Sequence, residues 1–411
     1  MAGALVFMQG PAVLLLLPTL PDDPEERLFA LNVIVGVAVV AMGLGGMLVV
    51  QAASAFGRTA STAMPMRTWW WLLLFFPPMV VVGQLTVNDP GSAPWLFPVV
   101  NLVIVAAPSV VIAALVAKRY RESNPLSWPV SWREWSSGFI YGAIGATTLA
   151  GAFNTAYLLI LAAVLTNHYD TDSFGIIDGL RFIPDGWRVF FDVSVFSGFG
   201  PMNEEFWKGL IVALFFFRKG GLARCFMWGA IVGAGFNLYE TFGNSLAVVS
   251  PEALAEETIS GRWWLFATVR VGTAAMHAAA TGLGALAFYG LFRRKWRLVP
   301  LYWGAWALHS SWNFMVYVIQ GDAFPAGSGP DRLLLDVLGV AGLVVLFLAS
   351  ALVLWVLSRN LRDGEPAHVY RALGMVPRPA PGLASPGVQA KAGWPAARQP
   401  AERPGGLPAR R

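Results

Sequence analysis

The sequence predicts an all-α protein, a polytopic bundle of about nine or ten membrane-spanning helices. Of its 411 residues, 56% are hydrophobic and 13% are charged, and the mean hydropathy is +0.57. Soluble domains are about one quarter charged, so this balance fits a lipid bilayer better than water. It excludes a cytosolic enzyme and a disordered scaffold. The single cysteine, Cys225, excludes an internal disulfide framework and a cysteine-based metal cluster.

Apolar stretches of membrane-spanning length recur along the chain. A bilayer core of about 30 Å needs about 20 apolar residues in a helix. Clear stretches cover residues 28–52, 69–87, 95–117, 138–165, 226–249, 263–292, 298–319 and 333–357. A further stretch, 189–217, is interrupted by charged residues, and residues 1–20 would be a tenth, interrupted by Pro11 and Pro18. Because residues 1–20 lack a basic start and a small-residue cleavage site, a cleaved signal peptide is the weaker interpretation.

The charges between these stretches predict how the chain is oriented. Loops with several Lys and Arg, such as 118–133 and 293–297, alternate with loops that carry Asp and Glu, such as 22–26 and 252–257. Lys and Arg are retained on the cytoplasmic side, so we expect a cytoplasmic C-terminus. The formal net charge of +5 then reflects loops and a tail that face lipid headgroups, and it does not indicate a nucleic-acid partner.

Composition divides the chain into four segments. Residues 1–185 hold N-terminal transmembrane helices of uncertain role, and residues 186–320 hold nearly all the ionisable groups found within apolar stretches. Residues 321–358 contain the final transmembrane helix. We expect residues 359–411, which are rich in Pro, Ala, Gly and Arg, to be a disordered cytoplasmic tail, because they offer too little apolar surface to fold.

Four consecutive stretches of the segment 186–320 carry polar clusters. They contain Glu204, Glu205 and Lys208, then Glu240, then Arg270 and His277, then His309 and Asn313. At about 1.5 Å per residue from the nearest basic loop, the glutamates and histidines lie about 18–24 Å from the cytoplasmic face, and Arg270 lies about 34 Å from it. An ionisable group in hydrocarbon costs about 2.5–3.5 kcal/mol or more. The common depth therefore predicts one buried site shared by four helices, with Arg270 at the interface.

The order of these clusters resembles a known family. Glu204-Glu205-x-x-Lys208, then Phe236-x-x-x-Glu240, then Arg270 and His277, then His309-x-x-x-Asn313 resembles the PrsW family of bacterial intramembrane proteases. That family is distantly similar to the CAAX prenyl endopeptidases. No single motif is specific, but their order on consecutive helices is.

The resemblance implies an intramembrane protease in a bacterial plasma membrane. Its substrate would be a single-pass membrane-anchored protein, such as an anti-sigma factor, cut near the extracytoplasmic side as a step of regulated proteolysis. The depth estimate, which does not use the resemblance, also places the site in the outer half of the membrane.

The residues leave two hydrolytic mechanisms open. In the first, Glu205 is the general base beside Lys208, while His277 or His309, with Asn313, donates hydrogen bonds to the oxyanion. In the second, Glu240, His277 and His309 bind a Zn²⁺ ion, and Glu204 or Glu205 is the base. Two adjacent glutamates cannot both face one point from a helix. One is expected to face the site and the other a supporting partner, with Glu205 preferred as the reactive one.

Two functions of other classes compete with hydrolysis. A proton- or ion-coupled transporter would use the same carboxylates and histidines as a relay, although the chain shows no inverted repeat. A non-catalytic membrane scaffold would keep the polar core for packing alone. Peptide cleavage, pH-driven flux in liposomes and tolerance of conservative replacements distinguish the three.

Overall fold

Helices make up the described elements of the chain in the computed structural model. The structure describes residues 2–57, 69–125, 127, 130–170, 182–216, 221–251, 263–320 and 330–363. The α-helices of these ranges are α1 (Ala2–Leu14), α2 (Pro24–Phe56), α3 (Phe76–Asn88), α4 (Leu96–Ser123), α5 (Trp132–Ile140), α6 (Thr147–His168), α7 (Asp185–Asp192), α8 (Gly200–Phe216), α9 (Leu222–Val248), α10 (Trp263–Phe292), α11 (Leu301–Gln320) and α12 (Pro330–Asn360). A π-helical segment, Tyr141–Ala146, joins α5 to α6, and a second, Val193–Phe199, joins α7 to α8. The all-α prediction is confirmed.

The described helices include six that are long and apolar enough to cross a membrane. They lie within Pro24–Phe56, Trp70–Asn88, Leu96–Ser123, Trp132–His168, Trp263–Phe292 and Leu333–Asn360. The predicted number of nine or ten spans is not confirmed. The other predicted stretches are helical, but the polar side chains of α9 and α11 lower the hydropathy of these helices, and α8 has 17 residues in the described range. Helix α1 has 13 residues, which gives it a length of about 20 Å, short of a bilayer core of about 30 Å.

Helix α10 occupies the centre of the bundle. It packs against α4, α8, α9, α11 and α12, and 94% of its most apolar 18-residue window is buried, compared with 17% for α12. Glycines of α9 permit a close approach: a Cβ atom on Gly229 would lie 2.6 Å from the carbonyl oxygen of Thr281 in α10. Gly233 lies in the same way against the carbonyl oxygen of His277. Small residues therefore bring α9 and α10 together, as expected for membrane helices.

A buried polar contact joins two N-terminal helices to this core. The amide Nδ2 of Asn101 in α4 donates to Oδ1 of Asn32 in α2 at 2.9 Å and to Oγ of Ser245 in α9 at 2.8 Å. All three side chains are fully buried. At the other end of the chain, α12 ends at Asn360, and residues 364–411 of the predicted tail lie outside the described residues.

Candidate active site

Four helices bring two carboxylates and two imidazoles to one place. Glu204 lies on α8, Glu240 on α9, His277 on α10 and His309 on α11, and one possible ligand atom from each lies within 4.8 Å of all the others. We call these four residues the Glu/His cluster. His277 and His309 are fully buried, whereas the side chains of Glu204 and Glu240 are 14% and 24% exposed. The predicted convergence of four helices on one buried site is confirmed.

One polar atom of each residue in the Glu/His cluster points toward the other three. His277 Nε2 lies 2.6 Å from Glu240 Oε2, and His309 Nε2 lies 3.7 Å from Glu204 Oε2. Among the described residues, none of these four buried atoms has a partner in hydrogen-bonding geometry. Buried polar atoms are almost always hydrogen-bonded. These four atoms instead lie in ion-pair contacts with one another, and Glu204 Oε2 lies also 3.5 Å from Lys208 Nζ. Facing buried atoms that make such contacts without hydrogen-bonding geometry mark a position where a cation would bind.

Glu205, the neighbour of Glu204, has its carboxylate occupied by three donors. Its Oε1 lies 2.6 Å from Lys208 Nζ and 2.9 Å from His309 Nδ1, and its Oε2 accepts from Thr281 Oγ1 at 2.9 Å. The side chain is fully buried. One glutamate thus faces the site and the other a supporting partner, as predicted. It is Glu204 that faces the site, however, which is the reverse of the preference drawn from the sequence.

The partner of each histidine fixes which ring nitrogen carries a hydrogen. The carboxylate of Glu205 can only accept, so Nδ1 of His309 donates to it and Nε2 keeps a free lone pair. Nδ1 of His277 lies 3.2 Å from Lys208 Nζ, which can only donate, so Nε2 of His277 carries its hydrogen toward Glu240. A cation bound at His277 Nε2 would require that hydrogen to move to Nδ1 and Lys208 to turn to its carboxylate partners.

Lys208 lies behind the Glu/His cluster and faces both adjacent glutamates. Its Nζ is 2.6 Å from Glu205 Oε1 and 3.5 Å from Glu204 Oε2, and it lies 3.8 Å from the centroid of the Phe236 ring. The ammonium group is fully buried. One positive charge therefore offsets part of the negative charge that Glu204 and Glu205 bring into the bundle, as their spacing on the helix predicts.

Two polar side chains hold the carboxylate of Glu240 from the other side. Asn244 Nδ2 donates to Glu240 Oε1 at 3.2 Å, and Arg270 Nη1 lies 3.5 Å from the same oxygen. Arg270 is 8% exposed, and its guanidinium group lies over the ring of Phe266. Arg270 therefore contacts Glu240 within the bundle, a pairing that the sequence did not predict. A depth estimate gives the position along the helix but not the neighbour across it.

One asparagine that the sequence did not predict holds Glu204, and a second asparagine holds the first. Asn154 on α6 donates from Nδ2 to Glu204 Oε1 at 3.2 Å, and Asn203 Nδ2 donates to Asn154 Oδ1 at 2.8 Å. The stretch 138–165 contains no Asp, Glu, Lys, Arg or His, so charged groups alone do not point to it. An asparagine within a membrane-spanning stretch is the signal that would have found Asn154.

Asn313 contacts a helix carbonyl rather than the Glu/His cluster. Its Nδ2 donates to the carbonyl oxygen of Phe196 in the second π-helical segment at 2.9 Å. On the same helix, Trp306 Nε1 donates to the carbonyl oxygen of Gly198 at 2.9 Å and Tyr302 Oη to that of Met202 at 2.6 Å. Side chains of α11 thus bind carbonyl groups at and after the π-helical segment. These bonds fix the helix that carries His309.

The Glu/His cluster fits a divalent metal ion. Zinc binds imidazole nitrogens and carboxylate oxygens at about 2.0–2.2 Å, and tetrahedral ligand atoms then lie about 3.3 Å apart. The four facing atoms lie within 4.8 Å of one another, so small side-chain movements would complete the geometry. In addition, His309 donates Nδ1–H to Glu205, the supporting bond that metal-binding histidines usually make. A cation among the four facing atoms would supply the partner that their contacts with one another do not supply in hydrogen-bonding geometry.

The fold and the site together define a class of protein: a helical membrane protein with a buried set of glutamate and histidine side chains of the kind that binds a catalytic metal ion. A comparison with protein families agrees, because residues 130–353 match the model of the PrsW family intramembrane metalloproteases. The match covers more than half of the chain, so the chain belongs to this family. It is therefore an integral membrane peptidase, as the motifs predict. No curated protein and no solved structure matches the chain.

Proposed function

We propose that the chain is a zinc-dependent peptidase that cleaves single-pass proteins anchored in the same membrane. The observation that carries the proposal is the set of four buried atoms of Glu204, Glu240, His277 and His309, which face one another without forming hydrogen bonds. Such an arrangement is costly for packing alone and matches the donor set of a catalytic metal.

We assign the metal ligands to Glu240, His277 and His309, and the general base to Glu204. When bound, a divalent metal ion supplies Lewis-acid chemistry, since it acidifies a water molecule and polarises the carbonyl group under attack. Two histidines and a glutamate with an open position form a known catalytic zinc set. Glu204 lies within the same group of atoms, and its Oε2 makes ion-pair contacts with Lys208 and His309 at 3.5 and 3.7 Å but no hydrogen bond, so its carboxylate is available for proton transfer.

In the proposed reaction Glu204 moves one proton. Its carboxylate takes the proton from the attacking water as the new C–O bond forms, and then gives it to the amine nitrogen as the C–N bond breaks. Glu205 orients His309, and Lys208 neutralises part of the carboxylate charge. We assign Asn313 to the positioning of α11 rather than to the oxyanion, because its amide donates to the carbonyl of Phe196.

Features of the sequence support the substrate and the orientation that we propose. The common depth of the four clusters supports cleavage near the extracytoplasmic side, and the basic loops support a cytoplasmic C-terminus. The resemblance to bacterial proteases supports the plasma membrane as the location and a membrane-anchored anti-sigma factor as the substrate. Partners would then be membrane lipid and a single-pass protein, with no nucleic acid.

Reconstitution with defined substrates tests the proposal. The purified protein is placed in liposomes with single-pass substrates that carry a label on each side of the membrane, and mass spectrometry locates the cut. We expect cleavage near the extracytoplasmic end of the substrate helix and about one zinc per chain by elemental analysis. Removal of the metal by a chelator should stop cleavage, and added zinc should restore it.

Three outcomes would each contradict a different part of the proposal. A protein that cleaves equally well with and without the chelator, and that carries no metal, would contradict the zinc assignment. A cut on the opposite side of the substrate helix would contradict the proposed orientation. A wild-type protein that carries metal but cleaves none of the substrates would contradict the substrate class.

A further inference from the structure

Asn154 is a polar side chain in the middle of α6, a helix that exposes much of its apolar surface. Its helix neighbours Phe153 and Ile160 are 49% and 65% exposed. An amide in hydrocarbon is costly unless its donors and acceptor have partners. The placement of Asn154 is therefore explained by what it contacts on the facing helix α8.

The contacts of Asn154 define the orientation of its amide. Asn203 Nδ2 donates to Oδ1 of Asn154 at 2.8 Å and to the carbonyl oxygen of Ala150 at 2.9 Å. Because Oδ1 of Asn154 is held by this donor, its Nδ2 must face the other way. There it donates to Glu204 Oε1 at 3.2 Å.

The bond from Asn154 distinguishes the two oxygens of Glu204. The terminal torsion of a glutamate is broad, so its own rotamer does not fix the carboxylate plane. Asn154 holds Oε1 by a hydrogen bond, whereas Oε2 makes no hydrogen bond and lies 3.5 Å from Lys208 Nζ and 3.7 Å from His309 Nε2. Glu240 repeats the arrangement, with Oε1 held by Asn244 at 3.2 Å and Oε2 2.6 Å from His277 Nε2. Asn244 lies on the helix of Glu240, however, whereas Asn154 comes from another helix.

We propose, on the basis of the proposed function, that Asn154 is a positioning residue that aims Oε2 of Glu204 at the scissile bond. Helix α6 thereby contributes to catalysis although it carries none of the four residues of the Glu/His cluster. The donor that Asn154 offers to Glu204 matters for turnover, and its acceptor contact with Asn203 serves to orient that donor.

Two substitutions separate positioning from helix packing. Asn154→Asp keeps the shape and the acceptor for Asn203 but replaces the amide donor to Glu204 with an oxygen of a second carboxyl group. Asn154→Leu removes both contacts. Asn101→Leu is the matched control, since it removes a buried interhelical amide of α4 that contacts Asn32 and Ser245 and no residue of the Glu/His cluster.

We expect both Asn154 variants to turn over about tenfold more slowly or worse, the usual effect of losing a supporting hydrogen bond. KM and zinc content should stay within about twofold of the wild type, because neither the substrate contacts nor the three metal ligands change. In Asn101→Leu we expect a lower thermal unfolding temperature, with kcat of the folded protein within about twofold of the wild type.

The outcomes are distinguishable. Wild-type kcat in a folded Asn154→Asp protein would overturn the positioning role, because the contact with Asn203 would then be the one that matters. Equal losses of kcat and unfolding temperature in Asn154→Leu and Asn101→Leu would overturn it as well. If the wild-type protein cleaves no peptide, the proposed function fails and this inference fails with it.

Discussion

Two groups of buried charges in this bundle differ in how fully they are satisfied. Around Glu134, both carboxylate oxygens have close donors: Oε1 accepts from Arg224 Nε and Trp228 Nε1, and Oε2 accepts from Arg224 Nη2, each at 2.7 Å. In the Glu/His cluster, four atoms that face one another have no hydrogen-bonding partner within the described residues. The first arrangement is complete in the folded protein alone, and the second is not.

The completeness of the hydrogen bonding separates a structural ion pair from a functional site. Both groups hold glutamates beside cationic side chains, so charge and burial do not distinguish them. Complete networks stabilise a fold, whereas a partly satisfied network is costly unless a ligand completes it. Glu205, which has three donors, belongs to the first kind although it adjoins the second.

The largest expected effect comes from removing a metal ligand. His309→Ala deletes one of the four facing atoms, and we expect loss of bound zinc and a fall of cleavage to background, because two ligands and a base no longer form a catalytic set. Elemental analysis and the liposome assay measure both. His168→Ala, at the exposed end of α6, is the control and should keep metal and activity. Retention of zinc and activity by His309→Ala would show that the cluster is not the metal site.

The next effect tests whether Glu204 is the base. Glu204→Gln keeps an oxygen for Asn154 and the size of the side chain, but it removes the proton acceptor. We expect cleavage to fall by about 10²–10⁴-fold, the usual contribution of a general base. Zinc content and the thermal unfolding temperature should not change. Loss of zinc in parallel with activity would instead make Glu204 a ligand.

A smaller effect is expected at Glu205, the satisfied carboxylate inside the site. Glu205→Gln replaces an acceptor oxygen with a donor against Lys208, Thr281 or His309. We expect a loss of about 10–100-fold in zinc affinity or activity, typical of residues that orient a metal ligand. Thr281→Val removes one donor only and should cost less. If Glu205→Gln keeps its zinc and is as inactive as Glu204→Gln, the two glutamates have to exchange roles.

The convergence of the Glu/His cluster could be predicted from the sequence. Each of its four helices is anchored by a basic loop, and the rise per residue converts position into depth. The bounds of one helix could be predicted as well, because the helix Trp263–Phe292 begins and ends where its apolar stretch does. The number of spans was harder to predict, because polar side chains lower the hydropathy of α9 and α11 and the described part of α8 is short.

Features that depend on rotation about a helix axis could not be predicted. Adjacent residues such as Glu204 and Glu205 differ by about 100° around the helix, and only packing decides which one faces the site. A π-helical segment precedes Glu204 and shifts the face that α8 presents, with no sequence signal that we identified. For the same reason, a depth estimate could not predict the contacts of Arg270 and Asn313.

The smallest expected effect on catalysis comes from the satisfied Glu134 network. Glu134→Gln leaves Arg224 with a weaker partner, and the side chains of both residues are mostly buried, at 12% and 17% exposed. We expect the free energy of unfolding to fall by about 1–3 kcal/mol, while kcat of the folded protein stays unchanged. Thermal unfolding in detergent and cleavage per folded molecule measure the two quantities. Glu122→Gln, which breaks the exposed pair with Arg119 on α4, is the control and should change neither. If Glu134→Gln abolished cleavage without lowering the unfolding temperature, a satisfied network would be serving the reaction, and hydrogen-bond completeness would no longer separate structure from site.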